Sequence, residues 1–523
     1  MKRIPPFKTL ESKAYVKTGA LRLFFVGAAI TAEIAYVMYV MGELSARYPW
    51  ISATITITAI LVALMIYGRH ENASMKMVWM LMIIAAPPFG TFMYLLTGLT
   101  GTTHAMRRRF ISVDNRLQPF LPDDTETLRQ LGERNASIVS QFRYIRNISG
   151  FPVYNNSRIE FFPDTVDIFE RMKDDLRRAE RFIFLEYYAI EDEKVFSEIH
   201  AILKERVIAG VDVRMFYDDI GSVFFINHDF VDKMEKDGIK CRIFNPMLPL
   251  TNVFMNNRDH RKIAVIDGII AYTGGYNLAD EYFNLTNPYG HWKDTGVRLE
   301  GEAARSMTYM FLETWNAMRG KNQEDHDFKP LFPVKVPTIP DAGFIQPYGD
   351  SPLTFENVAE DVYMNLLNGA QRYCWFTTPY LIITDEMVRT FLLAAGRGVD
   401  IRIITPGIPD KKMVYRVTRS SYRILARHGI RIFEYTPGFC HAKQCVCDDE
   451  IAVCGTINLD YRSLYHHFED GVLMYDCDAV HDIKRDFDSL LPQCTEVTAE
   501  YAKHVPLIIR FWETLLRILA PVF

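Results

Sequence analysis

Surplus positive charge is missing from this chain: 59 Lys and Arg face 64 Asp and Glu, for a formal net charge of −5. That balance excludes the broad basic field that drives nonspecific nucleic-acid binding, although a local basic groove remains allowed. Cysteine is sparse as well. The eight cysteines in 523 residues all fall at or after Cys241, and seven lie from Cys374 onward, so no disulfide framework organises the chain and a reducing environment suits its larger part. The composition is not that of a disordered chain either, because 49% of residues are hydrophobic and 24% charged. A mean hydropathy of −0.03 hides a steep gradient, with the long apolar runs concentrated in the first hundred residues.

Leu23 to Met41 is apolar except for Glu33, and Ile51 to Tyr67 carries no charge. Each run approaches the ~20 residues that cross a bilayer core, so both read as spanning helices, and Glu33 requires a partner or an inward face. A third run, Met77 to Gly98, contains Pro87, Pro88 and Gly90. Adjacent prolines delete two backbone donors in mid-segment, so this run either spans with a kink or re-enters. The first 22 residues hold Lys2, Arg3, Lys8, Lys13, Lys17 and Arg22 against Glu11, which puts the N-terminus in the cytoplasm. Three crossings would place the rest of the chain outside; two crossings and a re-entrant hairpin would keep it inside, beside Arg107, Arg108 and Arg109. The positive-inside rule favours the cytoplasmic face. A cleaved signal peptide is not expected, since further apolar segments follow the first.

From about residue 120 the texture changes to short β-rich runs alternating with amphipathic helical stretches, the pattern of an α/β domain. This part of the chain repeats itself. Gly210-Val-Asp-Val-Arg214 recurs as Gly398-Val-Asp-Ile-Arg402, and HWKDTGVRLEG (291–301) mirrors HHFEDGVLMYD (466–476). Between them, His260-x-Lys262-x4-Asp267-x6-Gly274-Gly275-x-Asn277 recurs as His441-x-Lys443-x4-Asp448-x6-Gly455-Thr456-x-Asn458, with 181 residues separating the histidines. Two α/β units in the same order predict a fused pseudo-dimer. The expected domains are an anchor over 1–110, repeats over 120–335 and 345–500, and a C-terminal amphipathic helix over 501–523. The Pro- and Gly-rich stretch at 335–352 reads as the linker.

A single His-x-Lys on a strand presents both side chains on one face, and alone it is usually a structural histidine beside a surface lysine. Two copies that keep His, Lys, Asp, Gly and Asn in step point to function. Two imidazoles, two ammonium groups and two amides gathered at a pseudo-twofold suit a phosphodiester. One histidine attacks phosphorus while the other donates a proton to the leaving oxygen. Lys262, Lys443, Asn277 and Asn458 would bind the non-bridging oxygens and stabilise the five-coordinate transition state. Each histidine needs an acceptor on its second nitrogen, and the repeat offers Asp294 in one half and Glu469 in the other. Asp267 and Asp448 complete the catalytic motif from strand ends before a turn, where structural hydrogen bonding is expected of them rather than proton transfer. No metal and no cofactor is called for. Cys440, Cys445, Cys447 and Cys454 lack paired metal-ligand spacing and read as packing.

The paired motifs, with YDDIGS (217–222), TTPYLIITDE (377–386), the FMYLLTG end of the third run and the apolar N-terminus, resemble the phospholipase D superfamily, and within it the bacterial cardiolipin synthases. The resemblance covers nearly the whole chain, including the helix that ends in RFWETLLRILAPVF. It implies a membrane enzyme that condenses two phosphatidylglycerols to cardiolipin and glycerol through a phosphatidyl-histidine, with His260 as nucleophile and His441 as acid. Gly275 departs from the family pattern, where serine is common, and is expected to cost little. The implied partners are phosphatidylglycerol, cardiolipin and the bilayer of a bacterial cell membrane, with no nucleic acid; a homo-oligomer is left open. Alternatives are another phosphatidyltransferase or a phospholipase D, which differ only in the acceptor, and, more remotely, a membrane-tethered nuclease or a noncatalytic membrane protein. The final segment, with Arg510, Glu513 and Arg517 among Leu, Ile, Trp and Phe, either lies on the membrane or packs on the domain.

Overall fold

The computed structural model describes the chain from Tyr48 to Ala520 except for 71, 98–100, 228, 247–256, 319–324, 355, 504–505 and parts of 334–342, together with scattered positions between 28 and 47. The N-terminal basic cluster and Glu33 lie outside the described residues, and the described positions of the first apolar run are helical.

Pro49–Tyr67 forms one uncharged helix of 19 residues, about 28 Å long at 1.5 Å per residue and so matched to a hydrocarbon core. It is the one helix among the described residues long and apolar enough to cross a membrane, and Ile57, Ile60, Leu61 and Leu64 along it are exposed. The third apolar run is broken. Ala73–Ala85 ends at Ala86, whose φ of −144° and ψ of 76° leave the helix, and Pro87 opens a second helix, Pro87–Thr97. The arms fold back on each other: the Trp79 and Tyr94 rings meet edge-on at 5.3 Å, and a Cβ on Gly90 would lie 2.5 Å from the Met82 carbonyl. Arms of about 20 and 16 Å are each too short to span the core.

The rest of the chain forms two sheets with the same strand order. The first runs Arg158–Phe162, Gly296–Glu300, Ile270–Gly274, Lys262–Ile266, Phe182–Tyr187, Asp212–Asp218, Lys240–Phe244; the second runs Phe344–Asp350, His467–Tyr475, Ile451–Gly455, Gln444–Cys447, Tyr373–Thr377, Asp400–Pro406, Arg431–Tyr435, with Cys494–Glu496 added at its edge. In each, the motif strand lies antiparallel beside the first inner strand, which pairs in parallel with the next. The inner strands Phe182–Tyr187 and Tyr373–Thr377 are buried throughout, which is why they read as unbroken apolar runs rather than alternating ones. The repeated glycines Gly210 and Gly398, at φ 90° and 91°, close the helix that feeds each following strand, a left-handed conformation that costs other residues energy.

Helix Ala304–Ala317 is buried on nearly every face. It packs on Lys262–Ile266 and Phe182–Tyr187 of one sheet and on Phe344–Asp350 of the other, so Met307, Met310, Phe311 and Trp315 belong to a core shared by both halves. Ile138–Ser149, which precedes the first sheet, packs instead on Val358–Gly369 of the second half, with Tyr144 donating to Asp361.

Candidate active site

The two halves meet through strand exchanges that bring the motifs together. Arg258–Asp259, just ahead of His260, pairs in parallel with His467 and Phe468. Gly438–Cys440, just ahead of His441, pairs in parallel with His291–Lys293. The backbone continues both pairings, as His260 N–H donates to Phe468 O at 2.9 Å and His441 N–H to Lys293 O at 2.7 Å. Each histidine therefore starts a motif strand of its own half while lying against the carboxylate-bearing segment of the other.

That register sets the side chains. His260 Nδ1 lies 2.9 Å from Glu469 Oε1, and His441 Nδ1 lies 2.6 Å from Asp294 Oδ2. A carboxylate on Nδ1 holds the proton there and leaves Nε2 with its lone pair for phosphorus or for a transferring proton. The two supports are built differently. Thr456 and Ser463 hydroxyls donate to Glu469 at 2.5 and 2.6 Å, whereas Asp294 accepts the Thr295 N–H at 3.0 Å and has no residue-275 side chain beside it. A Cβ on Gly275 would fall 2.0 Å from Asp294 Oδ1. Glycine is thus required by the seat of Asp294, which qualifies the expectation that its presence costs little.

Lys262 and Lys443 are almost wholly buried, each 1% exposed. Lys262 Nζ donates to the His260 carbonyl at 2.5 Å; Lys443 Nζ donates to the His441 carbonyl and lies 2.8 Å from His441 Nδ1. Burial, joined by repulsion from Lys443, lowers Lys262 to about 7, and burial lowers Lys443 to about 8. His260 is pushed well below its ordinary 6.5 by burial, then by Lys262, Lys443 and His441; His441 is lowered to about 3 by burial and Lys443 against the pull of Asp294. Burial would raise Asp294, but His441 and Lys443 outweigh it and hold the carboxylate low. These mutual influences place both motifs in one electrostatic site, tuned for an anion: a phosphodiester would neutralise the lysines and make a protonated histidine affordable.

The amides differ between halves. Asn277 Oδ1 accepts from Ala189 N–H at 3.1 Å and its Nδ2 donates to the Tyr282 hydroxyl at 2.7 Å, whereas the buried Asn458 Oδ1 accepts from no described residue. Asp267 and Asp448 lie elsewhere. They stand at the opposite end of the motif strand from the lysine, about 16 Å away at ~3.3 Å per residue. At φ 56° and 57°, each takes three backbone N–H groups, from residues 180–182 and 371–373, at 2.7 to 2.9 Å. Their carboxylates tie the motif strand to its neighbour.

Several residues of the site were not foreseen from the sequence. Tyr188 stands edge-on to His260 at 5.0 Å and Tyr282 edge-on to His441 at 5.3 Å. Trp292 and His467, matching positions of the HWKD and HHFE segments, pack on His441 and His260 at 5.1 and 5.3 Å. Arg261, the residue between His260 and Lys262, is 2% exposed and donates to the carbonyls of Glu469 and Asp350 at 3.1 and 3.3 Å, fastening one half to the other. The repeated segments signalled Trp292 and His467; nothing in the spacing signalled the tyrosines. Among the cysteines, Cys440, Cys445 and Cys454 are free and buried, and Cys447 is bonded to Cys374.

Comparison with known proteins agrees with this geometry. Residues 172–300 and 363–491 match the family described as cardiolipin synthase, PLD-like domain, and residues 54–98 match the phospholipase D-nuclease N-terminal family. Cardiolipin synthase 1 of Staphylococcus aureus strain COL is 30% identical over 462 residues, covering 87% of this chain and 92% of its own. An uncharacterized protein of Streptococcus mutans serotype c is 42% identical over 420 residues, covering 80% of this chain and 90% of its own. Among solved structures, phosphatidylserine synthase of Haemophilus influenzae Rd KW20 shares the fold, with a TM-score of 0.55, 14% identity, and coverage of 73% of this chain and all of that one. With two phospholipase D-like halves and full-length relatives of this kind, the chain belongs to the cardiolipin synthases of the phospholipase D superfamily.

Proposed function

We propose that the site condenses two phosphatidylglycerols to cardiolipin and glycerol by double displacement on His260. The observation that carries this reading is the crossed pairing of His260 with Glu469 and His441 with Asp294, which arms two histidines at one buried, lysine-lined centre. His260 Nε2 attacks phosphorus; the bond from phosphorus to the headgroup oxygen breaks, and His441 Nε2–H passes its proton to the departing glycerol. A hydroxyl of a second phosphatidylglycerol headgroup then attacks phosphorus and gives its proton to His441, and the nitrogen–phosphorus bond breaks. Lys262, Lys443 and Asn458 stabilise the non-bridging oxygens, and Asn277, its amide already bonded, shapes the strand end beside them. Asp267 and Asp448 hold the motif strands.

The broken third apolar run supports the two-crossing topology, with Ala73–Thr97 as a re-entrant hairpin and the catalytic halves on the cytoplasmic face. Anchor, two repeats and C-terminal helix then divide the chain near residues 110–120, 335–345 and 500. The anchor keeps phosphatidylglycerol at high effective concentration before the site while the apolar segments limit water.

The test is product analysis in reconstituted bilayers. Phosphatidylglycerol should yield glycerol and cardiolipin in equal amounts, and added glycerol should drive cardiolipin back to phosphatidylglycerol. Phosphatidic acid accumulating at a comparable rate would make water the acceptor and replace the synthase reading with a phospholipase. Labelled phosphatidylglycerol should leave its label on His260; label on His441 would reverse the two roles.

A further inference from the structure

The positions that pack on the two catalytic histidines are twins in the repeat but chemically unlike. Trp292 covers His441, and His467 covers His260. An indole offers no ligand atom, whereas an imidazole does. His467 is 92% buried, and its Nδ1 makes no hydrogen bond to any described residue. It points at Glu469 Oε1 from 3.5 Å, the same oxygen that lies 2.9 Å from His260 Nδ1. One ligand atom from each of His260, His467 and Glu469 lies within 4.8 Å of the other two. Ligand atoms on a tetrahedral zinc ion at ~2.0–2.1 Å stand about 3.3 Å apart, so the separations of 2.9 and 3.5 Å bracket a tetrahedral edge.

We propose that His260, His467 and Glu469 form an inhibitory site for a divalent transition-metal ion of the zinc type. Two imidazole nitrogens and one carboxylate oxygen are the donor set that such ions prefer, and the fourth position is left to water. When the ion binds, His260 changes tautomer: the Nδ1 proton that Glu469 holds is transferred through solvent to Nε2, and a metal–nitrogen bond takes its place on Nδ1. The neutral imidazole metallated on Nδ1 now carries its one hydrogen on Nε2, so the nitrogen that must attack phosphorus has no lone pair to offer. Binding therefore blocks chemistry without covering the site. Among the described residues the His441 side, with Trp292 in the corresponding place, has no such group.

The inhibitory consequence rests on the role assigned to His260 in the proposed function; the binding itself does not. The purified full-length protein in detergent, stripped with chelator, should take up one Co2+ per chain with visible absorption of a nitrogen- and oxygen-ligated tetrahedral or five-coordinate ion. Zn2+ should displace it. Substituting His467→Trp, the residue of the other half, should weaken Co2+ binding at least tenfold. X-ray absorption on the zinc-loaded unsubstituted protein should show two imidazoles and no sulfur, a readout that needs no variant to fold. In phosphatidylglycerol turnover, Zn2+ should inhibit the unsubstituted enzyme, excess chelator should restore it, and the His467→Trp enzyme should hold its own metal-free rate in the same Zn2+. No Co2+ uptake would overturn the proposal and leave the proposed function standing, as would thiolate-to-Co2+ charge-transfer bands, which would send the ion to free cysteines such as Cys445 instead. Uptake at His467 with turnover unaffected would instead overturn the role of His260.

Discussion

Glu469 holds His260 at 2.9 Å across a sequence separation of 209 residues, although both belong to motifs that each half owns in full. The pairing makes each half dependent on the other for the tautomer of its histidine. Neither repeat would form a working site by itself, and this gives the fused chain a physical reason to remain fused. Glu469→Gln keeps the size of the side chain and loses the charge that favours the Nδ1 proton. Turnover should fall by about 10³- to 10⁴-fold, as expected when a catalytic imidazole is left in the wrong tautomer, while thermal unfolding shifts little. Steady-state cardiolipin formation measures it. A loss below tenfold would reduce Glu469 to packing.

Gly275 and Thr456 are the same position of the repeat put to opposite uses. Thr456 donates its hydroxyl to Glu469, while Gly275 leaves room for the shorter Asp294 to come forward. Gly275→Ala should displace Asp294 from His441 and lower turnover by ~10²-fold, the usual cost of about 1 Å of misplacement. Thr456→Ala removes one of two hydroxyl donors and should cost less. Equal losses in the two variants would show that the halves are not asymmetric in this respect.

The sequence carried this site further than it carried the fold around it. His260, Lys262, His441 and Lys443 were legible because both copies keep them at one spacing, and Asp294 and Glu469 because their segments repeat as well. That the carboxylates serve across the halves was not legible. The exchange depends on the two-residue pairing of Arg258–Asp259 with His467–Phe468, a tertiary contact with no local periodicity. The repeat presents Asn277 as a phosphate ligand like its copy Asn458, yet its amide is taken by Ala189 and Tyr282, which lie outside the repeated skeleton. The adjacent prolines told of a break in the third apolar run; only the turn at Ala86 told whether the arms continue or fold back.

The pH profile follows from the same burial. His260 must be neutral to attack, and its ordinary value of 6.5 is pushed well down by burial and by the neighbouring lysines, so the acid limb of kcat/KM should lie well below pH 6.5. Lys262 and Lys443 must be charged, and burial brings them to about 7 and about 8. Rising pH removes their protons in the free enzyme, so the lysines should set a first alkaline step that bends kcat/KM downward through pH 7 to 8, in addition to the loss of the His441 acid proton, which burial and Lys443 bring to about 3. Once the anionic substrate is bound the lysine protons are held more tightly, and the alkaline limb of kcat should shift upward. Lys262→Arg, charged throughout this range, should move the first alkaline step of kcat/KM upward. Lys262→Met should lower turnover by ~10²-fold if the ammonium contacts the transition state. An unshifted alkaline limb near 10.5 would deny that these lysines are desolvated.

The C-terminal helix Leu507–Leu519 packs on the domain along one face and leaves the other apolar and exposed. Glu513 pairs with Arg423 at 2.8 Å, and Leu516 and Ala520 join Val417, Ile382 and Tyr461, with Met75 of the apolar hairpin packed against the same cluster. The opposite face leaves Leu507, Ile508, Phe511 and Trp512 at 56 to 80% exposure. Four large apolar side chains at helical spacing, on an element packed beside the hairpin, are placed to enter the headgroup and acyl boundary, where tryptophan is favoured. In vesicles of brominated phosphatidylglycerol, part of the tryptophan fluorescence should therefore be quenched, and the quenched part should shrink in Trp512→Phe. Leu507→Glu with Trp512→Glu should leave the fold intact, because both positions face away from the packed side, and should raise KM for bilayer phosphatidylglycerol several-fold while sparing turnover of detergent-dispersed substrate. Quenching that is identical with and without Trp512 would leave this face in water and remove the helix from the membrane contact.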